Sequence, residues 1–235
     1  MHSNRYIFIY SSVMVVIVAV ALTVVAVQLK PTQENNIRVE KMQNILASVN
    51  IDSDVKNAET LYNKYITQDL VLNSKGEMIE GVKAFNVELV VENKKPIAER
   101  KLPLYICTKE SGEKLYIVPL RGKGLWGPVW GYISFKSDYN SVAGSMFDHK
   151  GETPGLGAEI NTKAFQNQYI NKQIFDVNGT FVSINTIKGG AKDDNLHGVD
   201  AISGGTITST GVTNMLKDGI VLYEAYFKNQ QSKKE

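Results

Sequence analysis

The stretch Asp200-Ala201-Ile202-Ser203-Gly204-Gly205-Thr206-Ile207-Thr208-Ser209-Thr210 holds the residues best suited to chemistry, with two glycines and five hydroxyls between Ser203 and Thr210. An apolar-periodic segment follows directly. N–H groups at a helix start lack intrahelical acceptors and, with the helix dipole, attract phosphate. Glycine lets the backbone approach an anion closely, and a threonine hydroxyl can be esterified by one. Ordinary capping by Ser203, Thr206 or Thr208 is the bland alternative. One cap needs only one hydroxyl, however, and paired glycines weaken any helix they enter. No Walker lysine, dinucleotide glycine fingerprint or nucleophile–base triad accompanies the stretch, so it reads as a phosphate-holding site rather than a phosphate-transferring one.

Two further loops are rich in glycine. Gly122-Lys123-Gly124-Leu125-Trp126-Gly127-Pro128-Val129-Trp130-Gly131 reads either as a glycine-kinked hairpin with tryptophans in the core, or as a slot in which an aromatic ring stacks. Asp148 to Gly157 contains Gly151-Glu152-Thr153-Pro154-Gly155-Leu156-Gly157, either a polar surface turn or a stiff loop that fixes a carboxylate and a hydroxyl beside a ligand.

Elements must position these loops. Tyr6–Leu29 carries no charged residue and lies between Arg5 and Lys30. As a helix it spans about 36 Å, enough for a hydrocarbon core of about 30 Å. A secretory signal has a shorter apolar region and a small-residue cleavage site, which Val25 to Lys30 does not supply, so the segment reads as an uncleaved anchor. Flanking charge decides the orientation weakly, and the short amino-terminal tail favours the amino terminus inside. Residues 31–72 read as two helices separated by Asn50–Asp54, the second containing Leu61, Tyr62, Tyr65, Ile66 and Leu70. Strand-like runs follow at Phe85–Val91, Pro103–Ile106, Leu115–Leu120, Tyr132–Phe135 and Phe181–Ile187. A closing helix is expected over Thr208–Phe227, ahead of a disordered tail.

The expected class is α+β: a transmembrane helix, then a mainly antiparallel-sheet domain with flanking helices. Its expected divisions are 1–30 (anchor), 31–81 (helical segment), 82–228 (ligand-binding domain) and 229–235 (tail). A net charge of +2 with no basic run before the lysine-tipped carboxyl end points away from nucleic acid. The single cysteine, Cys107, sits in an apolar run and reads as a buried structural thiol. His2, His149 and His197 show no metal-ligand spacing, and no metal is expected.

Together the three loops resemble the flavoprotein family that comprises NqrC, from the sodium-translocating NADH:quinone oxidoreductase, and its relative RnfG, from the Rnf-type electron-transport complex. The resemblance covers essentially the whole chain and is strongest from Gly122 to Thr210. In that family an Asp-x-x-Ser/Thr-Gly-Ala-Thr/Ser pattern marks FMN attached by a phosphoester to its last residue; Asp200, Ser203, Gly204, Gly205 and Thr206 match it, with Gly205 where alanine is usual. Gly151–Gly157 matches the flavin-lining ETPGLG loop. Gly124-Leu125-Trp126 resembles the quinone-reductase version, and Lys188 matches a basic residue near the flavin.

The resemblance implies covalent FMN on Thr206, with Asp200, Ser203, Gly204, Gly205, Thr208, Leu125, Trp126, Glu152, Thr153, Leu156, Gly157 and Lys188 as cofactor-binding residues. It also implies electron transfer from NADH toward quinone with sodium export, membrane-protein partners from the same complex, a flavin transferase that delivers FMN from FAD, and a domain on the periplasmic face of a bacterial inner membrane. An RnfG-type protein, or a membrane-anchored module that binds a phosphorylated ligand without redox chemistry, are the alternatives. A hydrolase using Glu152 with a serine ranks last, for want of a histidine partner.

Overall fold

The computed structural model describes residues 3–233. The chain divides into two compact units, Met1–Lys41 and Met42–Glu235. The first consists almost entirely of helix α1 (Asn4–Ala47), whose last turns belong to the second unit. The most apolar window of α1 has a mean hydropathy of 2.7 and is wholly exposed, so by length and composition the helix can cross a membrane. In lipid only a helix or a closed barrel satisfies its own backbone, so the helix is the form in which this valine-rich run could span a membrane.

The second unit is built on a five-stranded antiparallel sheet: β1 (Ile66–Leu72), β2 (Leu102–Thr108), β3 (Lys114–Lys123), β4 (Pro128–Phe135) and β5 (Val142–His149), in spatial order 1-2-3-4-5. Side chains alternate between two cores, as strand geometry requires. On β3, Tyr116, Val118 and Leu120 join one cluster, while Leu115 and Ile117 join the other. With both faces covered, β2 is buried continuously from Leu102 to Cys107.

The first core packs against α4 (Lys163–Asn167) through Phe165, and against α5 (Thr206–Ile220) and α6 (Glu224–Ser232) through Val212, Met215, Leu216, Ile220 and Phe227. The second gathers Ile45, Val49, Val71, Ala84, Tyr105 and Cys107. Proline has no N–H for a ladder, and Pro119 lies in the half of β3 beyond the β2 pairing, which runs only from Thr108↔Lys114 to Tyr105↔Ile117. There Tyr223 inserts from the helical layer, and its hydroxyl donates to the Pro103 carbonyl at 2.8 Å.

Four sequence expectations need correction. The helix α2 (Ala58–Tyr65) stops where the expected second helix continues, and Ile66–Leu72 is a strand. Ladder pairing with β2, from Ile66↔Cys107 to Leu72↔Leu102, overrides the helical spacing there. The segment 31–81 therefore contributes an edge strand as well as helices.

Phe85–Val91 is not a strand. It forms a 3-10 turn (Ala84–Asn86) and a short helix α3 (Leu89–Glu92), because nearby carbonyls rather than a neighbouring strand take its backbone donors: the Val87 N–H donates to the Ala84 carbonyl at 3.1 Å and the Val91 N–H to the Glu88 carbonyl at 2.9 Å.

Phe181–Ile187 shrinks to β6 (Asn185–Ile187), paired parallel with β7 (Gly198–Asp200). Ser183 takes a left-handed backbone, φ 61°, which ends the extended run. The closing helix begins at Thr206, tightens into a 3-10 turn at Val221–Tyr223 and continues through Ser232, so residues 229–232 of the expected tail are helical. Lys234 and Glu235 lie outside the described residues, as does His2.

Candidate functional site

The three loops converge at one end of the sheet. The hairpin between β3 and β4 turns through Gly124–Gly127, closed by the Gly124 N–H donating to the Gly127 carbonyl at 2.8 Å. β5 pairs with β4 up to Val129↔His149, so the chain leaving β5 runs beside that hairpin; the Lys150 N–H donates to the Pro128 carbonyl at 3.1 Å. Thr153–Leu156 is a type II turn with Gly155 at φ 74° and the Leu156 N–H donating to the Thr153 carbonyl. The turn Ile202–Gly205 is of the same kind, with Gly204 at φ 72° and the Gly205 N–H donating to the Ile202 carbonyl at 3.0 Å. A side chain on Gly204 would strike Leu156, so the second and third loops touch.

Glu152 joins all three. Only 4% of it is exposed. Its Oε1 accepts from the Trp126 N–H at 2.8 Å, and its Oε2 accepts from the Thr208 hydroxyl at 2.5 Å. The Glu152 N–H donates to His149 Nδ1 at 3.1 Å, which assigns the neutral ring's proton to Nε2. Two loop glycines are explained by this carboxylate rather than by a ligand. A Cβ on Gly124 would lie 2.6 Å from Oε1, and one on Gly157 would lie 2.7 Å from Oε2 and strike the Thr208 hydroxyl.

The helix start is open. Gly205 is its N-cap residue and no side chain caps it. The first intrahelical bond runs from the Ser209 N–H to the Gly205 carbonyl, so the N–H groups of Thr206, Ile207 and Thr208 have no partner within the helix. Ser209 faces inward and its Oγ accepts from the Ile202 N–H at 3.0 Å, tying the turn to the helix. Thr210 turns its hydroxyl back onto the Thr206 carbonyl. The Thr206 side chain is exposed at the first helical position. Around this start lies an exposed apolar group: Leu125, Trp126 (70% exposed), Leu156 and Ile207. Trp126 is thus no core residue, contrary to the bland reading of the hairpin.

The second unit bears a close likeness to known proteins. A family model described as FMN-binding domain matches residues 124–221, a span that opens at the hairpin glycine and contains all three loops. The NqrC protein of Haemophilus ducreyi, the C component of its Na(+)-translocating NADH-quinone reductase, is 32% identical over 86% of this chain and 86% of its own length. The chain belongs to the NqrC family. The Vibrio parahaemolyticus relative is 30% identical over 83% of this chain and 82% of its own length. Among solved structures, NqrC from Parabacteroides distasonis superposes with a TM-score of 0.78 at 40% identity, covering 85% of this chain and 96% of the other.

Within this NqrC fold, the sequence-derived residues fall into two groups. Thr206, Ser203, Gly204, Thr153, Leu125, Trp126 and Leu156 are exposed around the helix start. Glu152, Gly157, Gly205 and Thr208 are buried beneath it. Ile202 fills the space beside Gly205: a Cβ there would lie 2.9 Å from its Cγ2.

Asp200 ends β7 and is engaged on both sides. Its Oδ1 accepts from the Ala191 N–H at 2.7 Å, and its N–H donates to Gln168 Oε1 at 2.8 Å. Lys188 is exposed and directly follows Ile187, whose pairing partner is Asp200. Sequence reasoning missed Ile207 as part of the apolar rim; its signal is an apolar residue among hydroxyls in the first helical turn. It also missed Ile202 and Gln168, which act through packing and a long-range hydrogen bond that no local pattern encodes.

Proposed function

We propose that this chain is the membrane-anchored electron carrier of a sodium-translocating NADH:quinone reductase, with FMN esterified through its phosphate to Thr206. The observation that carries the reading is the exposed Thr206 hydroxyl at an uncapped helix start, beside three N–H groups free of intrahelical partners. The phosphodiester formed there carries one negative charge and meets the positive end of the α5 dipole, worth about 0.3–1 kcal/mol at an exposed terminus. Leu125, Trp126, Leu156 and Ile207 offer an apolar rim for a planar ring. Ser203 and Thr153 supply hydroxyls, and Lys188 supplies a cation to the electron-rich side of the flavin.

Bound flavin supplies the redox chemistry, and the protein sets its exposure and potential. The residues' own part is attachment and orientation. A flavin transferase acting on FAD forms the bond between Thr206 Oγ and the FMN phosphorus, breaks the pyrophosphate, and releases AMP and the hydroxyl proton without redox change. Asp200 keeps the backbone of this segment in place for that step. The α1 helix anchors the chain in the inner membrane, with the flavin domain on the periplasmic side near the membrane proteins of the complex. Anchoring restricts the search for those partners to the membrane surface.

Thr206→Ala and Thr206→Ser, co-expressed with a flavin transferase, test the attachment. The alanine variant should lose all flavin fluorescence that survives denaturation, and the serine variant should keep it. Equal fluorescence in the alanine variant removes Thr206 as the acceptor.

A further inference from the structure

We propose that Glu152 is a positioning residue for the flavin: its carboxylate sets the rotation of α5 so that Thr206 faces outward. The proposal rests on the reading that Thr206 carries the flavin. Successive helical residues are about 100° apart, so Thr206 and Thr208 lie about 200° from one another around the axis. Holding Thr208 inward against Oε2 therefore turns Thr206 out, together with the free N–H groups of the first turn.

The same carboxylate takes the Trp126 N–H, which fixes the hairpin platform relative to that hydroxyl. No ion pair to Glu152 occurs among the described residues. A carboxylate buried without a cation is retained against a desolvation penalty, and a core of similar volume without it would suffer none. Both nearby glycines, Gly124 and Gly157, vacate the space that the two oxygens fill. His149 holds the main chain of the same residue from behind. The carboxylate is thus constrained by the hairpin, by its own loop and by the helix, and Thr208 is the one contact that reaches the acceptor turn.

The test uses the full-length chain in detergent with FAD and a flavin transferase, following flavin that resists denaturation. Thr208→Val keeps the shape and removes the hydroxyl; Thr208→Ser keeps the hydroxyl. The valine variant should incorporate flavin about tenfold more slowly, the scale of one hydrogen bond to a charged group, while serine stays within about twofold of wild type. A merely space-filling role at 208 predicts the opposite order. Native-rate incorporation by Thr208→Val, or equal slowing by both variants, overturns the proposal.

Should the valine variant fail to fold, Glu152→Gln carries the test. Its amide presents N–H groups where Oε2 accepts, so Thr208 must reverse its hydroxyl, and incorporation should fall about threefold; an unchanged rate overturns the proposal. Wild-type flavin found on a peptide without Thr206 is a separate result, which overturns the attachment reading instead.

Discussion

At the residue scale, small changes beneath the helix start should matter more than changes around it. Gly157→Ala forces a methyl against the Glu152 carboxylate and the Thr208 hydroxyl, an overpacking that costs about 1–3 kcal/mol. Chemical denaturation of Gly157→Ala beside Gly151→Ala, where nothing lies within 4 Å of the added carbon, checks this: the first should be destabilised and the second nearly neutral.

Cys107 is buried, and burial pushes its thiol up to about 11 from 9.0. Between those pH values the unfolded chain loses the thiol proton first. The thiol's contribution is therefore complete below about pH 9 and declines as pH rises toward 11. Urea midpoints from pH 8 to 11 should show a shallower alkaline decline for Cys107→Ala than for wild type.

The open, hydroxyl-rich helix start was legible from the order Asp-x-x-Ser-Gly-Gly-Thr, because that turn chemistry is local. The role of Glu152 was not, because its partners are 26 and 56 residues away in sequence. Nor was the inward turn of Thr208, since the five hydroxyls between Ser203 and Thr210 look alike until the helix rotation is known.

At the element scale, α5 reaches the sheet by close approach. A side chain on Gly211 would strike the Lys123 carbonyl, and one on Gly122 would lie 2.7 Å from Met215 Cβ. Gly211→Ala would push the first turns of α5 off β3. It should lower the unfolding midpoint and also slow flavin incorporation, whereas Asn214→Ala, on the exposed face, should do neither. Strands β2 to β4 were readable as short apolar runs, whereas β5 was missed because Gly144, Ser145 and Asp148 interrupt its apolar residues. Ile66–Leu72 was misread because five apolar residues happened to match a helical period, and the pairing that decides the matter comes from β2. Phe85–Val91 failed for the converse reason: alternation predicts a strand only where a neighbouring strand is free to pair, and here local carbonyls take the N–H groups of Asn86, Val87 and Val91.

At the scale of the whole molecule, the described chain joins one exposed apolar helix to one folded unit with two cores. If α1 is the anchor, the full chain should stay in the membrane pellet after alkaline carbonate extraction, and a chain lacking residues 1–30 should be released. Because both cores and all three loops lie in Met42–Glu235, the released form should still accept flavin. Loss of incorporation on release would mean that the transferase requires the membrane.

Family membership is carried by the whole unit, while the proposed attachment rests on one hydroxyl. Mass spectrometry of the intact protein, matured with a flavin transferase and then digested, tests that point most directly. The account predicts an added mass of FMN less one water, confined to the peptide that contains Thr206 and absent from Thr206→Ala. The unmodified mass for that peptide, with flavin lost on denaturation or found on another residue, would contradict it.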